Sequence, residues 1–217
     1  MYGQETAGYE CDKNMALYEI EQLDARAAAH FHEKNYLEAE TLYWGCLRLS
    51  VLSFSAADSR VAKYLCQLGR LYSCQDKHME AACMYQRLLR VVEASVGRND
   101  PRVADVAYQL ALLYHYQDRY AQAERFYKQA LAIREEIDGP DHPVVCAIKS
   151  CLAKLYMAQG NYDQAEPLYC KVLAALTKVF GHRHGLVRNI LRDYSLLLYN
   201  THREDEGDVL RRCAFNY

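Results

Sequence analysis

The chain has 217 residues, 51% of them hydrophobic and 25% charged, with a formal net charge of −2. That balance supplies a buried core and excludes both a disordered chain and the strongly basic face that nucleic-acid binding requires. No apolar run approaches the roughly 18 residues of a membrane span, and the polar start of the chain lacks the apolar centre of a signal peptide.

Residues 1–13 show no periodicity and are expected to form a loose tail. Residues 15–32 are rich in Ala and free of Pro and Gly, which suits a helix. Glu33-Lys34-Asn35 makes a short turn, and a second helix is expected from 36 to about 53. The same helix-turn-helix then recurs at a fixed step. Tyr36, His78, Tyr120 and Tyr162 are each 42 residues apart, and so are Ala39, Ala81, Ala123 and Ala165. Tyr43, Tyr85, Tyr127 and Tyr169 keep the same register. Periodicity of this length marks stacked repeat units. The units fall at about 20–61, 62–103, 104–145 and 146–187, followed by a degenerate cap at 188–217, so that 14–217 reads as one array.

The punctuation repeats as well. Gln75-Asp76-Lys77, Gln117-Asp118-Arg119 and Gln159-Gly160-Asn161 are turns short enough to force antiparallel neighbours. Between units, Gly97-Arg98-Asn99-Asp100-Pro101 matches Gly139-Pro140-Asp141-His142-Pro143, with Gly181 to Gly185 as a relaxed form. Gly suits the end of a helix, Pro101 and Pro143 suit the first turn of the next, and Asp100 is expected to cap it. Ala27, Gly69, Ala111, Ala153 and Ser195 form a small-residue column in the first helices. Ala39, Ala81, Ala123, Ala165 and Gly207 form another in the second helices, which lets each pair approach closely. Leu68, Leu110, Leu152 and Tyr72, Tyr114, Tyr156 lie three or four residues away, on the same face. Each buried ring contributes about 2 kcal/mol. In the fifth copy Glu204 and Arg211 replace ring positions. Either a solvent-facing terminal unit or an array that runs on past this sequence accounts for that decay.

These columns, Leu-Gly/Ala-x-x-Tyr in the first helix and Tyr-x-x-Ala-x-x-x-Tyr in the second, resemble the tetratricopeptide repeat. The 42-residue length, the Gly-Pro-Asp-His-Pro-x-Val junction and the run Ala-Leu-Ala-Ile-Arg-Glu-Glu at 130–136 are similar to repeats of the kinesin light chain subgroup. The resemblance implies an all-α, right-handed superhelical solenoid whose first helices line a concave groove. It also implies a non-catalytic interaction module, an adaptor with a cargo or scaffold role. The sequence departs from the subgroup at Cys66-Gln67, Tyr108-Gln109 and Ser150-Cys151, where light chains carry cargo-lining asparagines.

On that arrangement the expected peptide-binding groove comprises Lys63, Arg70, Tyr108, Leu112, His115, Tyr116, Lys154, Asn189, Arg192 and Tyr199. Its aromatic and apolar middle is flanked by Arg70, Lys154 and Arg192, which suits a peptide carrying acidic residues around an apolar anchor. No catalytic, cofactor or metal site is expected. The nine Cys form no Cys-x-x-Cys pair and read as reduced, packing thiols in a cytoplasmic setting. His182 and His184 sit in an inter-unit loop, where polarity explains them better than a metal does. Glu40, Glu124 and Glu166 lie beside the small Ala column and read as pairing groups rather than acid–base machinery. The competing function is a regulatory or sensor domain of a larger signalling protein. Self-association is compatible with either.

Overall fold

The computed structural model describes the backbone of residues 2–215 and the side chains of residues 13–215. Its described residues form ten helices: α1 Tyr2–His32, α2 Tyr36–Ser53, α3 Ser59–Cys74, α4 His78–Val96, α5 Pro101–Tyr116, α6 Tyr120–Asp138, α7 Pro143–Ala158, α8 Tyr162–Phe180, α9 Gly185–Asn200 and α10 Glu204–Phe215. They make five pairs on the 42-residue step read from the sequence. The expected unit boundaries at 62, 104, 146 and 188 fall three residues inside α3, α5, α7 and α9. The expectation of a loose tail over 1–13 is not met where the backbone is described, because α1 begins at Tyr2. Missing apolar periodicity does not exclude a helix, and no proline interrupts the sequence there. Met1 lies outside the described residues.

The chain divides into two compact units, residues 1–106 and 107–217. In the first, α1 packs on α2, α2 on α3 and α3 on α4. Its core holds Ala27, Ala39, Tyr43, Leu68, Ala81 and Tyr85, all buried. In the second, α6 packs on α7, α7 on α8, α8 on α9 and α9 on α10. Ala111, Ala123, Tyr127, Ala153, Ala165 and Tyr169 are fully buried there. Both small-residue columns are therefore interior, and the tyrosine column packs with them.

The helix starts explain the junctions. Asp58, Asp100, His142 and His184 stand 42 residues apart, and each accepts a hydrogen bond from the amide two residues on, at 2.9, 2.9, 3.3 and 3.2 Å. Such a bond satisfies one of the open amides of a helix start. Asp100 is thus the cap that the sequence leads one to expect, and His142 and His184 do the same work with an imidazole nitrogen. His184 also stacks on Phe180 at 4.4 Å. Lys149, buried in α7, holds the preceding junction by pairing with Glu135 at 2.7 Å and donating to the Pro140 carbonyl at 3.0 Å.

The turns within pairs share one backbone device. Lys34, Asp76, Asp118, Gly160 and His202 all have positive φ, between 56° and 74°. Even the fifth copy, whose side chains have drifted, keeps that geometry at His202. A left-handed residue other than glycine costs about 1–2 kcal/mol, and Asn and Asp tolerate it better than most. Lys34 has no such excuse. Lys34→Gly is expected to raise stability by about 0.5–1 kcal/mol after the greater backbone entropy of glycine is counted. Urea unfolding measures it, and a loss of stability would show that the Lys34 side chain matters more than its φ.

Candidate functional site

Within each unit neighbouring first helices touch, and four of the expected site residues, Lys63, Arg70, Tyr108 and Lys154, lie at those contacts. In the first unit Lys63 on α3 pairs with Asp24 on α1 at 2.6 Å. Arg70, about two turns further along, sits with its guanidinium 5.8 Å from the centre of the Phe31 ring. In the second unit the Tyr108 hydroxyl meets Cys151 Sγ of α7 at 3.3 Å. Lys154 of α7 pairs with Asp193 of α9 at 2.9 Å. Residues 67, 109, 151 and 193 form one register column, and two of its members, Cys151 and Asp193, reach back to the preceding first helix. The sequence reading singles out Gln67, Gln109 and Cys151 as departures from the light-chain pattern, but it misses Asp193 and the reach of Cys151 and Asp193 to the preceding first helix.

Tyr108, Leu112, His115 and Tyr116 follow helical spacing on α5 and share one side of it. Tyr116 leaves 72% of its surface exposed, while Tyr108, Leu112 and His115 are half-buried. The Tyr108 ring lies 6.0 Å from that of Tyr127, and His115 meets Tyr127 edge to face at 6.3 Å. His115 Nδ1 also lies 3.5 Å from the Tyr127 hydroxyl. Burial pushes both phenol pKa values upward, so these rings stay neutral and act as apolar bodies with a polar tip.

The other expected residues divide. Asn189 and Arg192 on α9 are exposed, and the Arg192 guanidinium lies 5.7 Å from the Phe215 ring centre. Tyr199 is half-buried and donates its hydroxyl to Asp208 of α10, so it closes its own helix pair. Its register partners behave alike: Met157 accepts from the Tyr169 hydroxyl at 3.2 Å, as His115 meets Tyr127. Lys63 and Lys154 therefore have carboxylate partners, whereas Arg70 and Arg192 have an aromatic ring beside them. Surface pairs of this kind contribute only about 0–1 kcal/mol and exchange readily for another carboxylate.

Nothing in this arrangement resembles acid–base or nucleophilic machinery. Glu40 accepts from the Tyr72 hydroxyl at 2.7 Å, and Glu124 accepts from Tyr156 at 2.9 Å. Glu166 accepts from Tyr194 at 2.8 Å and pairs with Arg203 at 2.7 Å. The acidic column thus ties one helix pair to the next, through tyrosine more than through Lys or Arg. Burial raises the thiol of Cys46 to about 11, and it raises those of Cys66 and Cys146 as well, which makes them poor nucleophiles. The eight described cysteines are free thiols. Among the described residues no group of three or more His, Cys, Asp or Glu could hold a metal, and no helix is long and apolar enough to cross a membrane.

His115 carries one measurable consequence. Its burial, the main cause, lowers the imidazole pKa; nearby Asp118 opposes this and Lys154 reinforces it. The unfolded chain takes up a proton near pH 6.5, before the folded one does. Stability present above that pH is therefore lost as pH falls from about 6.5 toward the lowered folded value. His115→Gln is expected to flatten the loss between pH 7 and 5.5 in denaturant titrations. An unchanged slope would assign the effect to other groups.

The repeat geometry has a match among known families. The tetratricopeptide repeat profile aligns with residues 19–94, 84–136, 102–148 and 144–206. The chain belongs to the tetratricopeptide repeat family. This tetratricopeptide repeat protein matches no curated protein sequence. Its fold is similar to that of BtubC (BKLC) from P. vanneervenii, at 17% identity, TM-score 0.79, covering 97% of this chain and 87% of that one. It is also similar to a Podosopora anserina protein described as a kinesin light chain with nearly identical TPR-like repeats, at 17% identity, TM-score 0.77, covering 90% and 92%. Aspartyl phosphate phosphatase F from Bacillus subtilis shares the fold at 12% identity and TM-score 0.75, covering 94% of this chain and 52% of that one. At these identities the likeness is one of fold. Tetratricopeptide repeats typically serve as protein–protein interaction modules, and two of these neighbours are kinesin light chain-like.

Proposed function

We propose that the second unit, residues 107–217, binds a peptide segment of a partner protein along the side where α5, α7 and α9 meet. The observation that carries this is the exposed Tyr116 beside half-buried Leu112 and Tyr108 on one helix side, with Lys154 on α7 and Arg192 on α9, the next two first helices. Aromatic residues and arginine are the usual anchors of interfaces. An apolar side chain of the peptide packs on Tyr116 and Leu112. An acidic residue takes Lys154 from Asp193, an exchange that costs little because exposed pairs are weak. Lys63 and Arg70 offer the same chemistry within the first unit. The role is non-catalytic, that of an adaptor or scaffold, and the free thiols suit a reducing, cytoplasmic compartment.

The shared fold with aspartyl phosphate phosphatase F supports a second reading, in which the repeats regulate a signalling partner. Both readings need the same peptide site.

Affinity capture with the purified chain, followed by mass spectrometry, identifies the partner. Tyr116→Ala, and separately Lys154→Glu with Arg192→Glu, should each weaken the captured complex at least tenfold. Binding that survives both sets of changes would remove this site from consideration.

A further inference from the structure

The first unit carries a second apolar feature, along α2. A trough of about 660 Å³ opens along α2, floored by Trp44, Leu47, Val51 and Leu52, with Arg48 on α2 and Arg87 on α4 beside it. Leu52 is 75% exposed and Val51 44%, although α2 is an ordinary second helix whose opposite side is core. Helices that fold onto one neighbour normally keep a polar outer side. This one does not.

Trp44 is held in place. Its indole Nε1 donates to the Tyr72 hydroxyl at 3.1 Å, and Tyr72 in turn donates to Glu40 at 2.7 Å. The indole is thereby oriented by a chain of two hydrogen bonds while still 37% exposed. An aromatic anchor fixed beforehand loses little freedom when it is covered. Arg48 and Arg87 are both exposed, and neither forms an ion pair among the described residues. By contrast, Lys63 on α3 is paired with Asp24 and Lys154 on α7 with Asp193. No carboxylate lines the trough. Its chemistry is thus an apolar floor with uncompensated positive charge at its sides.

We infer that this trough is a second docking site, taking an acidic amphipathic helix of a partner protein: apolar residues at i, i+4 and i+7 on Trp44, Val51 and Leu52, and flanking carboxylates on Arg48 and Arg87. Apolar side chains at that spacing form one stripe, as Trp44, Val51 and Leu52 do on α2 at i, i+7 and i+8. The site is independent of the peptide side on α5, α7 and α9.

Trp44 is the sole tryptophan of the chain, so its emission reports occupancy directly. The probe is a synthetic 14-residue helix with Leu at those positions and Glu on both flanks, titrated into the full chain at low salt; its counterpart carries Lys in place of Glu. A saturable change in Trp44 emission is expected with the Glu helix, with affinity at least tenfold weaker for the Lys helix. Arg48→Glu with Arg87→Glu should reverse that preference, and Tyr116→Ala should leave it alone. No saturable change, equal affinity for the two helices, or indifference to the charge reversal overturns the site. A concentration-dependent dimer in sedimentation, abolished by Leu52→Asp, would overturn it too, by making a second copy of the chain the occupant.

Discussion

Tyr127→Ala lowers the stability of the second unit by about 3–5 kcal/mol, the range for truncating a large buried aromatic side chain. The ring is fully buried, and it packs beside Tyr108 and His115 at 6.0 and 6.3 Å. Its removal opens a cavity between α5 and α6 that rigid helices close only in part. Tyr127→Phe separates the ring from its hydroxyl. It keeps the packing and gives up only the long 3.5 Å contact with His115 Nδ1, so about 1 kcal/mol or less is expected. Urea unfolding followed by far-ultraviolet circular dichroism compares the two. An alanine variant no less stable than the phenylalanine one would mean that the tyrosine column does not hold the helix pairs together.

Gly69→Ala destabilises the first unit by about 1–3 kcal/mol, the range for overpacking a close-fitting interior. A Cβ at Gly69 would lie 2.8 Å from Tyr85 Cε2, and the neighbouring ring atoms are at 3.0 Å. The Tyr85 ring is itself buried and has no free end to swing away. What makes this expectation sharp is that Ala111 and Ala153 occupy the same column without harm. One methyl group that is native in three copies, at Ala27, Ala111 and Ala153, is thus a clash at Gly69. Equal stability of Gly69→Ala and wild type would show that Tyr85 can withdraw, and that the copies are interchangeable at this joint.

The fold was legible because its devices repeat. Four alanines at a 42-residue step, with tyrosines four residues on, can only be a close joint between paired helices, and all of them are buried. Asp100 and Pro101 likewise announce the start of α5. The start of α1 was not legible, since helix content there leaves no mark in apolar spacing. The site was legible in part. Helical spacing places Tyr108, Leu112, His115 and Tyr116 on one side of α5, but spacing does not say which polar groups are already satisfied. Asp24 and Asp193 engage Lys63 and Lys154 across neighbouring helices, and Tyr199 turns to Asp208, through contacts that depend on how helices sit side by side. The trough at Trp44 was illegible for the same reason: apolar residues fall on more than one side of α2, and only packing shows which of them stay uncovered.

The most direct measurement places a photo-crosslinking phenylalanine derivative at position 116, on α5, or at position 171, where exposed Lys171 stands on the second helix α8. With the captured partner present, illumination should join it to the chain from position 116 and not from position 171. Crosslinks that form from 171 alone, or equally from both, would contradict a peptide site on the first helices of the second unit.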